Sequence, residues 1–176
     1  MSRLAFFKHF DEFDLWEFTP DLFHAFPFRM ERISWSRRIR CAMEWLVGYR
    51  VYYAKSHDKT GAWIGYCVIS SGKNPRYPFS TGNDIIFGRY FIAKSFRGKH
   101  LAKPLLSHVL DDCGLRYEKA FAYLKTTNTI SLRAIASIGA RPVAHFDLVG
   151  KFRSVQMSPQ GQFVLFEYTG KGAPAP

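Results

Sequence analysis

Cysteine is scarce in this chain: Cys41, Cys67 and Cys113 lie far apart, are odd in number and form no C-x-x-C pair. That spacing excludes a disulfide framework and a thiolate zinc site, and it reads as free thiols in a reducing cytoplasm. Long apolar runs are missing as well, so no segment is expected to span a membrane. Residues 1–10 lack the pattern of a signal peptide. Acidic residues number only 14 against 25 Lys and Arg, a formal net charge of +11. A basic surface favours an anionic partner, whether nucleic acid, a membrane surface, an acidic carrier protein or a phosphorylated cofactor. The positive charge is not concentrated, however. Its nearest approach to a block, Arg29, Arg32, Arg37, Arg38 and Arg40, alternates with Ile33, Trp35 and Ile39 and reads as the solvated side of an amphipathic helix. This spread weakens the case for a nucleic-acid-binding α/β domain, which rests on charge alone.

What the chain has in quantity is aromatic side chains. They make up 17% of 176 residues, within a hydrophobic fraction of 47%. That is enough apolar surface for one core in one domain, expected over residues 1–169 with a frayed tail at 170–176. Eight Phe and Trp16 fall within residues 6–28, broken by Pro20 and Pro27. Residues 1–48 are expected to be largely helical, with Leu4 to Phe10 open to a strand or a short helix. Ser34 could cap a helix from Trp35 to Val47, stopped by Gly48.

From Tyr49 the texture changes to β-rich segments separated by turns. Tyr49 to Lys55 and Ala62 to Ser70 read as an antiparallel hairpin around the turn HDKTG. Asp84 to Ala93 is a further strand, in which Gly88 suggests a bulge. Leu101, Leu105, Val109 and Cys113 recur at one-turn spacing, giving a helix over 101–114 with Pro104 in its first turn. Ala120 to Leu124, Val143 to Val149 and Phe163 to Tyr168 read as strands, and Asn128 to Ile138 as a second helix stopped by Gly139. Strands, helix, strand, helix, strands is the order of an α/β domain with a mixed sheet.

The segment that carries chemistry runs from Tyr90 to Leu106: a strand, a tight basic turn, then a helix. The first amides of a helix have no internal partners and its N-terminal end is positive. With Arg97, Lys99 and Lys103 beside it, such a turn suits a phosphate or diphosphate.

This turn resembles motif A of the GNAT superfamily of acyl-CoA-dependent N-acyltransferases, [R/Q]-x-x-G-x-[G/A]. Arg97 fills the first place and Ala102 the last, while His100 stands where the family has its middle Gly. Asn128-Thr-Ile-Ser131 followed by Gly139-Ala140 resembles the family's N-x-x-S…G-[F/A] signature, and Trp63 to Ile69 resembles its third strand. The match spans about Tyr49 to Val149, the core motifs of a single domain (49–150) behind an aromatic acceptor-side segment (1–48).

The resemblance implies a mixed, mostly antiparallel central sheet flanked by helices, with strands 4 and 5 splayed apart around a pantetheine arm. Backbone groups of Tyr90 and Ile92 would meet that arm, with the Tyr90 amide facing the thioester oxygen as oxyanion donor. Amides of Gly98, Lys99, His100, Leu101 and Ala102, with the side chains of Arg97 and Lys103, would hold the diphosphate. Asn128 and Ser131 would touch the arm from the other side. The implied activity is transfer of an acetyl or other acyl group from acetyl-CoA to a primary amine, with no metal. The charge and the early Phe cluster also suit an acidic acyl-carrier protein as donor, and a homodimer is open. A non-catalytic module that senses CoA or a nucleotide is the alternative.

The usual acid and base are missing. The family's carboxylate position four residues before the oxyanion donor is Ile86, and its Tyr position seven after the Asn is Ile135. The substitutes considered are Asp84, on the strand parity of Ile86 and Tyr90, Tyr123 on the neighbouring strand, and His145 on the strand after Gly139. Cys67 and Cys113 read as core. Tyr52 and Tyr53, adjacent on a strand, point to opposite faces, so only one of them can face a pocket.

Overall fold

The computed structural model describes residues 4–21, 44–150 and 154–170. Among the described residues, nine strands form one sheet in the order β1-β2-β3-β4-β5-β6-β9-β7-β8. They are β1 (Leu4–His9), β2 (Asp14–Phe18), β3 (Tyr49–Lys55), β4 (Trp63–Ser71), β5 (Ile85–Ile92), β6 (Ala120–Lys125), β7 (Arg141–Val149), β8 (Ser154–Met157) and β9 (Phe163–Tyr168). Every neighbouring pair is antiparallel except β5 and β6. Two helices, α1 (Ala102–Asp112) and α2 (Thr129–Ser137), follow β5 and β6. Among the described residues, no helix is long and apolar enough to cross a membrane.

The expected β3–β4 hairpin is present, and β3 shows why it sits in the interior of the sheet. Five of its seven side chains are buried. Tyr52 belongs to the core under the helices, and Tyr53 to the cluster on the opposite face. The opposed directions expected of these two tyrosines are therefore met, with both rings in the core. The Tyr52 hydroxyl donates to the Cys113 carbonyl at 3.0 Å and ties β3 to the end of α1.

On one face of the sheet, α1 packs through Leu105, Leu106, Val109 and Leu110, as the one-turn spacing requires. Each such side chain contributes roughly 2 kcal/mol when removed from water. Cys67 and Cys113 lie in this same core as free thiols, and burial pushes the Cys67 thiol up to about 12. Asn128 caps α2 by accepting from the Ser131 amide at 3.2 Å, and Ile135 is its fully buried anchor.

Two expectations are corrected. Residues 4–18 are not helical: Leu4 to Phe10 takes the strand alternative as β1, and residues 14–18, expected as helical, form β2, so the antiparallel hairpin β1–β2 extends the sheet beyond β3. The reason is alternation. Leu15 points into the core under the helices, while Trp16 and Phe18 point to the other face. The aromatic segment therefore contributes two strands, and the pair expected to splay, fourth and fifth in the family's count, is β5 and β6 here. Phe23, Phe26, Phe28 and most of the expected helix 35–47 lie outside the described residues, though residues 44–47 are helical. The second correction is β8, within a stretch read as polar connection. It pairs only with β7 and its side chains are mostly exposed, so it carries no hydrophobic pattern to find.

Candidate functional site

The site is built where β5 and β6 part. Only two residue pairs join these strands, Ile85–Ala120 and Ile86–Phe121. Beyond Ile86 the open edge of β5 runs on to Ile92. The cause sits at Gly88. Val68 pairs with Arg89 and Ile69 with Phe87, so Gly88 has no partner on β4 and forms a bulge at φ 138°. A side chain at that φ is strained, and its Cβ would lie 3.5 Å from the Ala122 Cβ.

The bulge also resets the faces of β5. Phe87 and Tyr90 now share the helix side, while Ile86 and Arg89 share the other. The expected common parity of Asp84, Ile86 and Tyr90 fails for this reason. Along the same strand, the Ala93 amide donates to the Ile64 carbonyl at 2.8 Å. Antiparallel alternation then turns the backbone groups of Phe91 and Arg89 toward β4, and those of Ile92 and Tyr90 into the gap. The Ile92 carbonyl on that side accepts from Arg97 Nε at 3.1 Å. The Tyr90 side chain reaches α2: burial raises its phenol pKa, opposed in part by a hydrogen bond to Ser131.

The turn after β5 is as basic in space as in sequence. A 3-10 turn (Lys94–Phe96) leads into residues 97–101, and Arg97, Gly98, Lys99, His100 and Lys103 are all exposed. No acidic residue lies in the first turn of α1. Arg97 stacks over Phe91 and Lys99 over Phe96, at 5.7 and 5.1 Å from the ring centroids. Backbone bonding reaches the Arg97 amide on one side and resumes at Leu105 on the other. The amides between them, Leu101 and Ala102 included, belong to the turn and the helix start, where internal acceptors run out.

His100 adopts φ 57°, the left-handed region that a Gly, the residue motif A has here, can enter without cost. The position therefore demands glycine-like backbone even though it carries an imidazole. We expect His100→Gly to raise stability by about 0.5–1 kcal/mol. Denaturant unfolding checks this, and an unchanged midpoint would mean that the imidazole contributes a compensating contact.

On the other face of the bulge, a cavity of about 120 Å³ is lined by Glu44, Arg76, Tyr77, Gly88, Arg89 and Tyr123, among others. Glu44 is buried and ion-paired to Arg89. Burial, with Tyr123 beside it, pushes the Tyr77 phenol well above the ordinary tyrosine range. Tyr123 is half-buried, edge-on to Phe146 and Phe163, so the strand splay leaves it at the cavity wall. Arg76 Nε is buried and has no partner among the described residues. A larger cavity, about 520 Å³, lies at the other end of β5, beside Ser71, Asn83 and Asp84. It touches neither the bulge nor the basic turn.

Tyr90 and Ser131 thus stand on the helix side of the gap, Tyr123 on the opposite side at the cavity wall, and the basic turn follows the end of β5. Asp84 and His145 do not join them. The Asp84 carboxylate is buried, accepting from the Thr81 amide at 2.7 Å, the Thr81 hydroxyl at 2.8 Å and the Lys119 amide at 3.2 Å. It fastens the closed end of the β5–β6 pair. His145 is exposed on β7, which β9 separates from β6, so it lies two strands from the gap. Glu44 is the residue sequence reasoning missed. It lies outside every motif, and only the folding of its segment against β5 brings it to Gly88.

Comparison with known proteins agrees with this fold. The model of the acetyltransferase (GNAT) family matches residues 12–139. None of the curated proteins matches the chain's sequence. Among solved structures, a Salmonella typhimurium protein described as an acetyltransferase with its cofactor acetyl-CoA superposes with a TM-score of 0.56. It has 16% identity over 92% of this chain and 97% of its own. The spermidine N-acetyltransferase of Vibrio cholerae, in complex with CoA and spermine, gives 0.56 with 12% identity, over 88% and 95% of the two chains. An acetyltransferase from Thermus thermophilus gives 0.54 with 13% identity, over 79% and 77%. At these identities the likeness is one of fold.

Proposed function

The chain belongs to the GNAT acetyltransferase family, and from that premise we propose that it transfers an acetyl group from acetyl-CoA to a primary amine by direct attack within a ternary complex. The observation that carries the reading is the open edge of β5 ending in the basic turn, because it supplies strand-like backbone for an amide-bearing arm and, at the arm's far end, free amides and cations for a diphosphate.

In this reading Tyr90 and Ile92 hold the pantetheine through backbone groups, and residues 98–102 hold the diphosphate with Arg97, Lys99 and Lys103. Asn128 is engaged as the cap of α2, so its role is to set the helix start, while Ser131 orients the Tyr90 ring. Bound acetyl-CoA supplies the activated thioester. The Tyr90 N–H donates to the thioester oxygen as negative charge develops there, a preorganised stabilisation worth about 3 kcal/mol. Glu44, on the far side of the bulge, takes the proton from the attacking amine, and Tyr123 offers a hydroxyl proton to the departing sulfur. Positioning the amine against the thioester supplies much of the remainder.

The cavity also bears on the acceptor. Arg76 and Arg89 line it against one carboxylate, Glu44. The Vibrio cholerae relative acts on spermidine, a polycation. A polycation here would meet like charge, so an amine that also carries an anionic group fits better.

The test is release of free thiol from acetyl-CoA with a panel of amines, with amino-acid-like acceptors expected to outpace spermidine. In the same assay, Arg97→Ala with Lys99→Ala should raise the KM for acetyl-CoA by about 30-fold, at about 1 kcal/mol for each exposed cation. An unchanged KM would remove the diphosphate from this turn. A CoA-binding module without turnover is the second reading, favoured by the apolar Ile86 and Ile135 at the family's usual acid–base positions. Thermal stabilisation by acetyl-CoA with no thiol released from any amine would select it.

A further inference from the structure

Far from this gap, at the β1–β2 edge of the sheet, three side chains converge without any role in acyl transfer. His9 ends β1, Asp14 begins β2, and His57 lies in the turn after β3. The two imidazoles stack with centroids 4.6 Å apart and planes 20° from parallel. Both direct a nitrogen at the same carboxylate oxygen, Asp14 Oδ1: His9 Nδ1 at 2.7 Å and His57 Nε2 at 3.2 Å. The three donor atoms lie within 4.8 Å of one another. Lys55, the cross-strand neighbour of Asp14, does not fill the space between them. Its ammonium turns over Trp16 and Trp63, at 5.5 and 5.8 Å from the rings.

We propose that His9, Asp14 and His57 form a binding site for a divalent transition metal ion of the zinc class. Two imidazoles and one carboxylate are the donors such ions take, and the set has too few oxygens for calcium or magnesium. With metal–ligand bonds of about 2.0–2.1 Å, a tetrahedral shell needs its donors about 3.4 Å apart. The two spacings to Asp14 Oδ1, 2.7 and 3.2 Å, fall slightly short of that value, a difference that rotation of these exposed side chains covers. The side chains of His9, His57 and Asp14 are 67%, 33% and 28% exposed, which leaves an entry path and a position for water. A bound ion would pin β1, β2 and the β3–β4 turn together, three segments otherwise joined at this end by strand pairing.

The experiment uses the full chain without an affinity tag, stripped with chelator and titrated with zinc chloride by calorimetry. Cobalt(II) serves as a spectroscopic probe of the coordination shell. One zinc per chain is expected, with a rise in melting temperature and a cobalt spectrum of low coordination number. The double variant His9→Ala/His57→Ala removes two exposed rings and leaves the core intact. It should lose more than about 10-fold in affinity, together with the thermal shift and the cobalt signature. Asp14→Asn should weaken binding in the same direction. No uptake by the unmodified chain, or equal uptake and an equal cobalt spectrum in the double variant, overturns the assignment. Thiol release from acetyl-CoA should be the same with and without chelator, so failure here is separable from failure of the acetyltransferase reading.

Discussion

Glu44→Gln should lower kcat by about 100-fold or more while leaving the KM for acetyl-CoA nearly unchanged, the size expected for loss of a positioned general base. The amide keeps the shape of the side chain and can still accept from Arg89, so the cavity wall stays in place. It cannot take a proton. The cavity lies on the face of β5 away from the Tyr90 ring, which is why the thioester carrier should not sense the change. Steady-state kinetics with acetyl-CoA and amine varied in turn check it. A kcat equal to that of the unmodified chain would mean that the amine arrives already deprotonated and that Glu44 only pairs with Arg89.

Gly65→Ala should cost about 3 kcal/mol, the upper range for forced overpacking, or about 6–12 °C in melting temperature for a chain of this size. A Cβ at Gly65 would stand 2.2 Å from the Phe91 carbonyl oxygen and 3.0 Å from Ile92 Cδ1. Backbone cannot yield there without breaking the β4–β5 pairing, and the opposite edge of that stretch of β5 is the one offered to the thioester arm. Acetyl-CoA binding should weaken together with stability. Thermal unfolding with and without acetyl-CoA measures both, and a variant as stable as the parent would mean that β5 can shift away from β4 at no cost.

The middle of the chain was legible because pattern and punctuation agreed. Tyr49 to Lys55 reads as a strand and is one, and the one-turn spacing of Leu105, Val109 and Cys113 fixed the buried face of α1. Gly88 was legible as a bulge because glycine inside a strand has few other uses. The N-terminal hairpin was not, since Phe and Trp in quantity serve a helix face and a strand face equally well and only pairing with β3 decides. The parity argument for Asp84 failed for a physical reason, because one unpaired residue between it and Tyr90 reverses every side chain beyond. Glu44 was invisible to motif reasoning, which looks along a strand for a carboxylate and cannot see one delivered from another segment.

The two-pair junction of β5 and β6 has a consequence for handling the protein. Sheets elsewhere avoid raw interior edges because these recruit strands from other molecules. Here an edge is left raw inside the sheet, and the small molecule proposed to occupy it would act as a protective seal. Chains purified without that molecule should self-associate more readily and exchange the Tyr90 and Ile92 amide hydrogens faster than chains kept saturated with it.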